Sequence, residues 1–327
     1  MPGSDAGRAL PRPTLRWPTV IGAAAAAGIL LGAVSNWDGL AEQRDGIARA
    51  VWLLPALVVL HLGQLLLSGL GWRALFAGPR PGAAVFYRLR VIREGIDSLL
   101  PVAQVGGEIV GARLLSRQGM TPSRAGASVI VDVTVELLTQ VAFLAAGLGA
   151  LAWLTHGAGW EWLEAALAGA LAAAALLLAQ RFGLLRALEA LLRGIARRWP
   201  ALAGASLDGI HAAALDFYRQ PAPLLRGVAL HLLAWVLGSI EVWAVLNALG
   251  VAVTPLQAFT VESLGMAARS AGFAIPAALG AQEGGFALAA AALGLPVGPA
   301  LALSLVKRMR EVLVGLVGLT LWRLAVR

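Results

Sequence analysis

The chain has 327 residues, of which 59% are hydrophobic and 13% charged, and its mean hydropathy is +0.77. Soluble domains are roughly 45–50% apolar and 25% charged, so an ordinary soluble enzyme and a disordered or collagenous chain are excluded in favour of a polytopic membrane protein. Lys+Arg is 26 against 18 for Asp+Glu, a net charge of +8 that suits anionic lipid headgroups better than nucleic acid, because the arginines flank apolar segments.

The chain has no cysteine, which removes disulfides, thiol catalysis, attached haem and iron–sulfur sites. Four scattered histidines argue against zinc, and no GxxxxGK[ST] marks an internal ATPase. Of the basic residues only Lys307 is a lysine, a bias that reads as base composition and carries no function.

A helix needs about 20 apolar residues to cross a bilayer. Six stretches qualify: 18–36, 50–71, 127–153, 163–180, 227–248 and 299–322. Arg8, Arg12 and Arg16 precede the first, which reads as an uncleaved anchor rather than a signal peptide. Loop charge sets orientation, since Lys and Arg stay cytoplasmic. The segment 37–49 and the loops 154–162 and 249–257 suit the outside. Arg73, Arg80, Arg88, Arg90 and Arg93, the seven arginines of 181–226, and Arg323 with Arg327 suit the inside. Both termini are thus expected in the cytoplasm.

Two further segments, 84–120 and 255–295, are apolar but broken by Pro and Gly and carry acids. Each reads as a re-entrant helical hairpin, with an interfacial amphipathic helix as the alternative. Irregular backbone at membrane depth is tolerated only inside protein or beside a wet cavity. Residues 181–199 form a basic amphipathic helix expected on the cytoplasmic membrane surface, packed under the bundle.

The two hairpins share spacing. Pro101 is followed by Gly106, Gly107 and Glu108; Pro276 is followed by Gly280 and Glu283, each glutamate seven residues beyond its proline. Arg93 and Arg269 precede the prolines by eight and seven residues, and Asp132 and Lys307 each follow by 31. The chain therefore reads as one all-α integral membrane domain, 1–327. It has about six spans and two hairpins in an inverted repeat, with halves 1–155 and 156–327. This is the plan of many secondary transporters, whose sites lie between broken segments near the midplane.

Nine acids fall in or beside the apolar elements: Glu94, Asp97, Glu108, Asp132, Glu136, Glu241, Glu262, Glu283 and Glu311. Burying a charge mid-helix costs about 2.5–3.5 kcal/mol on insertion scales, so such residues face the bundle interior and pair. Arg93, Arg113, Arg269, Lys307, Arg308 and Arg310 are the partners on offer. Asp132 and Glu136 share a helix face, as do Lys307, Arg308 and Glu311. The two stripes are expected to meet across the bundle, pairing Asp132 with Arg308. Three readings stay open: static ion pairs, a polar cavity for a lipid headgroup, and a proton relay through Asp132, Glu136 or Glu283. His61 and His231 read as helix–helix hydrogen-bonding groups rather than proton carriers. No HExxH, GxSxG or Asp-rich prenyl-diphosphate motif is present, so an enzyme is not expected.

EGIDSLLPVAQVGGEIVGARLLSRQG at 94–119 with ASVIVDVTVE at 127–136, and AIPAALGAQEGGFALAAAALGL at 274–295 with ALSLVKRMRE at 302–311, resemble the lysylphosphatidylglycerol-synthase transmembrane (flippase-type) domain family. Within it they look most like the hopanoid-biosynthesis-associated, HpnL-type branch. The resemblance implies lipid flipping or export at the bacterial inner membrane, with hopanoids moved toward the outer leaflet or outer membrane. The alternative is a membrane enzyme or accessory subunit of lipid biosynthesis. It places the hairpin positions on Pro101, Gly106, Gly107 and Glu108 and on Pro276, Gly280 and Glu283. Its charged third-span motif falls on Asp132, Val133 and Glu136, with Val133 in the arginine's place, which favours a less anionic substrate. The chain leaves no room for the aminoacyl-transferase domain of bifunctional members, so lipid lysylation is not expected. The substrate cavity is expected to include Arg93, Glu94, Asp97, Gln104, Glu108, Arg113, Asp132, Glu136, Arg269, Glu283, Lys307, Arg308 and Glu311. Partners are a membrane lipid, hopanoid or phospholipid, and anionic lipids at the cytoplasmic face, with a homodimer left open. No cofactor, metal or nucleic acid is expected.

Overall fold

The computed structural model describes residues 44–100, 106–156, 209–271, 278 and 280–326. The spans expected at 18–36 and 163–180, the amphipathic helix at 181–199, and Pro101, Gln104 and Pro276 lie outside the described residues. All regular structure among the described residues is helical. The helices are α1 (Arg44–Val51), α2 (Leu54–Ala74), α3 (Ala83–Leu99), α4 (Gly106–Ser116), α5 (Pro122–Leu154), α6 (Ile210–Tyr218), α7 (Pro221–Ala248), α8 (Pro255–Ala271), α9 (Ala281–Ala292) and α10 (Val297–Val326).

Proline sets several starts. Pro55, Pro122 and Pro221 occupy the first turns of α2, α5 and α7, where a missing N–H costs nothing. Thr121 caps α5 by accepting the Arg124 N–H. The span expected from residue 50 is interrupted at Trp52–Leu53, so that α1 is separate from α2. By length and composition α2, α5 and α7 are apolar enough to cross a membrane. The 30-residue α10 spans roughly 45 Å at 1.5 Å per residue, but its middle carries Lys307, Arg308, Arg310 and Glu311.

The segments expected as hairpins each contain two helices, α3 with α4 and α8 with α9, whose members pack on each other. The packing is reciprocal. α3 lies along α10, α8 lies along α5, and α2 lies along α7. Small residues permit the close approaches. A Cβ on Gly318 would sit 2.2 Å from the Val91 carbonyl oxygen of α3, and one on Gly147 would sit 1.6 Å from Ser263 Oγ of α8.

Two apolar clusters sandwich a polar layer. Along α2, Leu54 and Leu57 belong to one cluster and Trp72, Leu75 and Phe76 to the other, with His61, Gln64 and Ser68 between. Along α10 the order is Leu303 and Val306, then Lys307 to Glu311, then Leu319. In α7 the sequence is reversed: Val228 packs on the Trp72 cluster, and Val242 and Val245 lie in the opposite one. α2 and α7 thus run in opposite senses, and their polar residues meet between the two clusters.

Candidate functional site

Polar stripes at helical spacing converge on this layer. They are His61, Gln64 and Ser68 on α2; Arg90, Arg93, Glu94 and Asp97 on α3; Glu136 and Gln140 on α5; and Lys307, Arg310 and Glu311 on α10. With Glu108 from α4 and Glu262, Arg269 and Ser270 from α8 they line a cavity of about 640 Å³.

On the α3–α5 side an anion sits at the centre. Asp132 is fully buried. Its Oδ2 accepts from Arg93 Nη1 at 2.8 Å and lies 3.9 Å from Arg90 Nη1, and its Oδ1 is 3.0 Å from His231 Nε2 of α7. Arg93 also pairs with Glu108, and Arg90 with Glu136. The Arg93 guanidinium stacks 5.0 Å from the Trp72 ring, which gives its face an attractive apolar neighbour. Asp97 Oδ1 accepts the Gly107 N–H at 2.8 Å and ties the start of α4 to the end of α3.

On the α8–α10 side the centre is a cation. Lys307 Nζ donates to both Glu262 oxygens at 3.0 and 2.8 Å and to Glu241 Oε2 at 3.3 Å. It lies 5.6 Å from the Phe286 ring centroid. Arg310 pairs with Glu241. Arg269 donates to Glu311 Oε1 at 2.6 Å and to Gln282 Oε1 at 2.5 Å. Glu283 accepts from Arg308 Nε and Ser304 Oγ, both at 3.1 Å, and its other oxygen takes the Gly280 N–H at 2.8 Å. Gly280 has φ +78°, a conformation that suits glycine at the start of α9.

Every cavity-lining cation therefore already holds a carboxylate. Among the described residues acids remain in excess: the nine carboxylates named from the sequence outnumber the six cations that seven of them pair with, Arg90, Arg93, Arg269, Lys307, Arg308 and Arg310. Low-dielectric surroundings penalise such an imbalance. No group of three or more His, Asp or Glu among the described residues is arranged to hold a metal ion.

Of the residues expected in the cavity, Arg93, Glu94, Asp97, Glu108, Glu136, Arg269, Lys307 and Glu311 line it. Asp132 lies behind Arg93. Gly107 is a packing residue, since a Cβ there would sit 2.3 Å from Asp97 Oδ2. Glu283, Arg308 and Gly280 form a clasp outside the lining, Gly106 only opens α4, and Arg113 is exposed. The expected Asp132–Arg308 pairing is corrected: α3 brings Arg93 and Arg90 to Asp132, and Arg308 pairs with Glu283 of α9. Arg90 is likewise not a loop charge marking the membrane face but a partner of Glu136 inside the bundle. His61, Gln64, Arg90, Gln140, Glu262 and Arg310 line the cavity without having been expected there. Their period in the helices was the available signal.

A family model described as the lysylphosphatidylglycerol synthase TM region matches residues 19–318. No curated protein and no solved structure matches the chain significantly. The match spans most of the chain, which belongs to this family and is an integral membrane protein.

Proposed function

Taking that membership as the premise, we propose that the protein is a lipid transporter of the bacterial inner membrane, not an enzyme. It moves a hopanoid toward the outer leaflet or outer membrane, with both chain termini in the cytoplasm. The family description ties the chain to membrane lipid chemistry or movement. The observation that carries the choice of transport is the cavity. Its volume of about 640 Å³ suits a polar headgroup, and its walls come from helices of both halves. The hydrocarbon body stays against the apolar helix faces, and one half rocks against the other on the glycine contacts.

The charge pattern supports a neutral or weakly polar headgroup. A phosphate entering here competes for guanidinium groups that carboxylates already occupy. Val133, at the place where the resemblance puts an arginine, lines the cavity and brings no cation. The resemblance of 94–119 and 127–136 to the HpnL-type branch supports the hopanoid choice.

The test is leaflet transfer in vesicles containing the full chain. Transfer of a hopanoid well above that in protein-free vesicles, and above that of phosphatidylglycerol, is the expected result. Transfer equal to the protein-free control sinks the proposal, and a lipid of changed mass replaces it with an enzyme.

A further inference from the structure

One pair of groups in the cavity wall is not used by any of the ion pairs above. His61 on α2 approaches Gln64 Oε1 with its Nδ1 at 2.6 Å. An amide oxygen only accepts, so Nδ1 carries a proton. Gln64 Nε2 and Glu262 Oε1 both lie close to Gly238. In the neutral ring Nε2 is then a bare lone pair. That atom is buried and has no hydrogen-bond partner among the described residues. It faces Glu94 Oε1 of α3 at 3.6 Å. Two acceptors are thus aimed at each other across a helix–helix contact, and an unsatisfied buried acceptor is costly. One added proton turns the contact into a charge-assisted hydrogen bond, whether it starts on the imidazole or on the carboxyl.

We propose that His61 and Glu94 form a proton-binding site in the cavity wall, and that lipid movement is coupled to its filling and emptying. The coupling rests on the transport reading; the proton site does not. A proton taken from cavity water joins α2 to α3 through Nε2–H···Oε1, and its return to water leaves lone pair against carboxylate and loosens that contact. The contact is therefore held at low pH and lost as pH rises.

The surrounding charges make the site a balance rather than a fixed ion pair. From α3, Arg90 stabilises the Glu94 carboxylate, and Asp97 opposes it. From α8, Arg269 stabilises Glu94 electrostatically, and Glu262 lines the same wall. From α7, Glu241 adds a negative charge near His61. From α10, Lys307 and Arg310 add positive charges that are paired with Glu241 and Glu262. From α5, Glu136 is occupied by Arg90. The excess of acids over cations in this layer favours taking up a proton, and the pair is the place where one completes a missing hydrogen bond.

The chain has four histidines, so ¹⁵N spectra of the histidine-labelled full chain in detergent resolve the site, with His61→Gln assigning its signal. We expect the His61 Nε2 resonance to move from the position of a bare lone pair to that of an N–H as the pH is lowered. Glu94→Gln, whose amide donates to Nε2 permanently, should abolish that titration while the protein stays monodisperse and thermally stable. In vesicles, transfer of a fluorescent hopanoid should change with pH along a limiting slope of about one decade per unit, as for one proton. Glu94→Gln should flatten that profile. A His61 resonance that ignores pH overturns the site. A titrating resonance with a flat transfer profile overturns the coupling. Titration in a protein that moves no lipid at any pH supports the site and overturns the transport reading.

Discussion

The α3–α4–α5 cluster and the α8–α9–α10 cluster occupy matching places but carry opposite chemistry. The first surrounds a buried anion, Asp132, with Arg93, Arg90 and His231. The second surrounds a buried cation, Lys307, with Glu262 and Glu241. In both, an aromatic ring backs a cation, Trp72 beneath Arg93 and Phe286 beneath Lys307. An arginine from the hairpin's first helix also reaches the third helix in both, Arg93 to Asp132 and Arg269 to Glu311. The lesson is that a shared backbone plan does not fix the sign of the charge at its centre. It fixes only that a charge placed there must be paired.

The largest expected effect breaks the comparison at its centres. Lys307→Met leaves Glu262 without its ion-pair partner, whereas Asp132→Asn leaves Arg93 with Glu108 and Arg90 with Glu136. Stranding a buried charge costs about 3–5 kcal/mol. Lys307→Met should therefore destabilise the protein by that order in a detergent denaturation series, and Asp132→Asn by clearly less. Adding Glu262→Gln to Lys307→Met should recover part of the loss, as a coupled pair requires. Equal costs for the two single substitutions would show that the clusters are energetically equivalent after all.

The next effect sharpens the comparison at the reciprocal helix contacts. Gly318→Ala drives a Cβ to 2.2 Å from a backbone carbonyl, which cannot step aside. Overpacking of this kind costs about 1–3 kcal/mol. Gly147→Ala meets the Ser263 side chain, so the companion change Ser263→Gly should rescue it. No comparable side-chain rescue exists for Gly318→Ala, because its obstacle is main chain. Melting temperatures of the three variants decide this, and full rescue is the result that ties the α5–α8 contact to side-chain packing alone.

Much of this arrangement is legible in the sequence. The helix-breaking prolines and the apolar runs place α2, α5, α7 and α10, and the shared Pro-to-Glu spacing marks the two broken segments. The polar stripes were also available. Arg90, Arg93, Glu94 and Asp97 recur at i, i+3, i+4 and i+7, and His61, Gln64 and Ser68 at i, i+3 and i+7. Reading Arg90 as a loop charge hid the first stripe, because the positive-inside rule counts residues without asking which face of a helix they occupy. Partner choice was not legible. Whether Asp132 meets Arg308 or Arg93 depends on which hairpin packs against which span, and that crossing of α3 onto α10 and α8 onto α5 leaves no local mark in the sequence.

The smallest effects separate the clasp and the surface from the core of each cluster. Glu283 is partly exposed, and Arg308 keeps Glu311 at 3.7 Å when it is removed. Arg308 is buried but retains Glu311, and a glutamine oxygen still accepts the Gly280 N–H, so Glu283→Gln should cost about 1 kcal/mol and leave lipid transfer within roughly twofold of the unmodified protein. Glu108→Gln, which removes a carboxylate that lines the cavity and holds Arg93, should slow transfer more than it destabilises. Arg113 lies in the same helix as Glu108 but on its exposed face, and its backbone carbonyl, which accepts Ser116 Oγ, survives substitution. Arg113→Ala should therefore change stability by less than about 0.5 kcal/mol and leave the pH profile of transfer unmoved. A strong transfer defect in Arg113→Ala would extend the functional surface of α4 from the cavity face to the outside of the bundle, and the two clusters would then differ in reach as well as in charge.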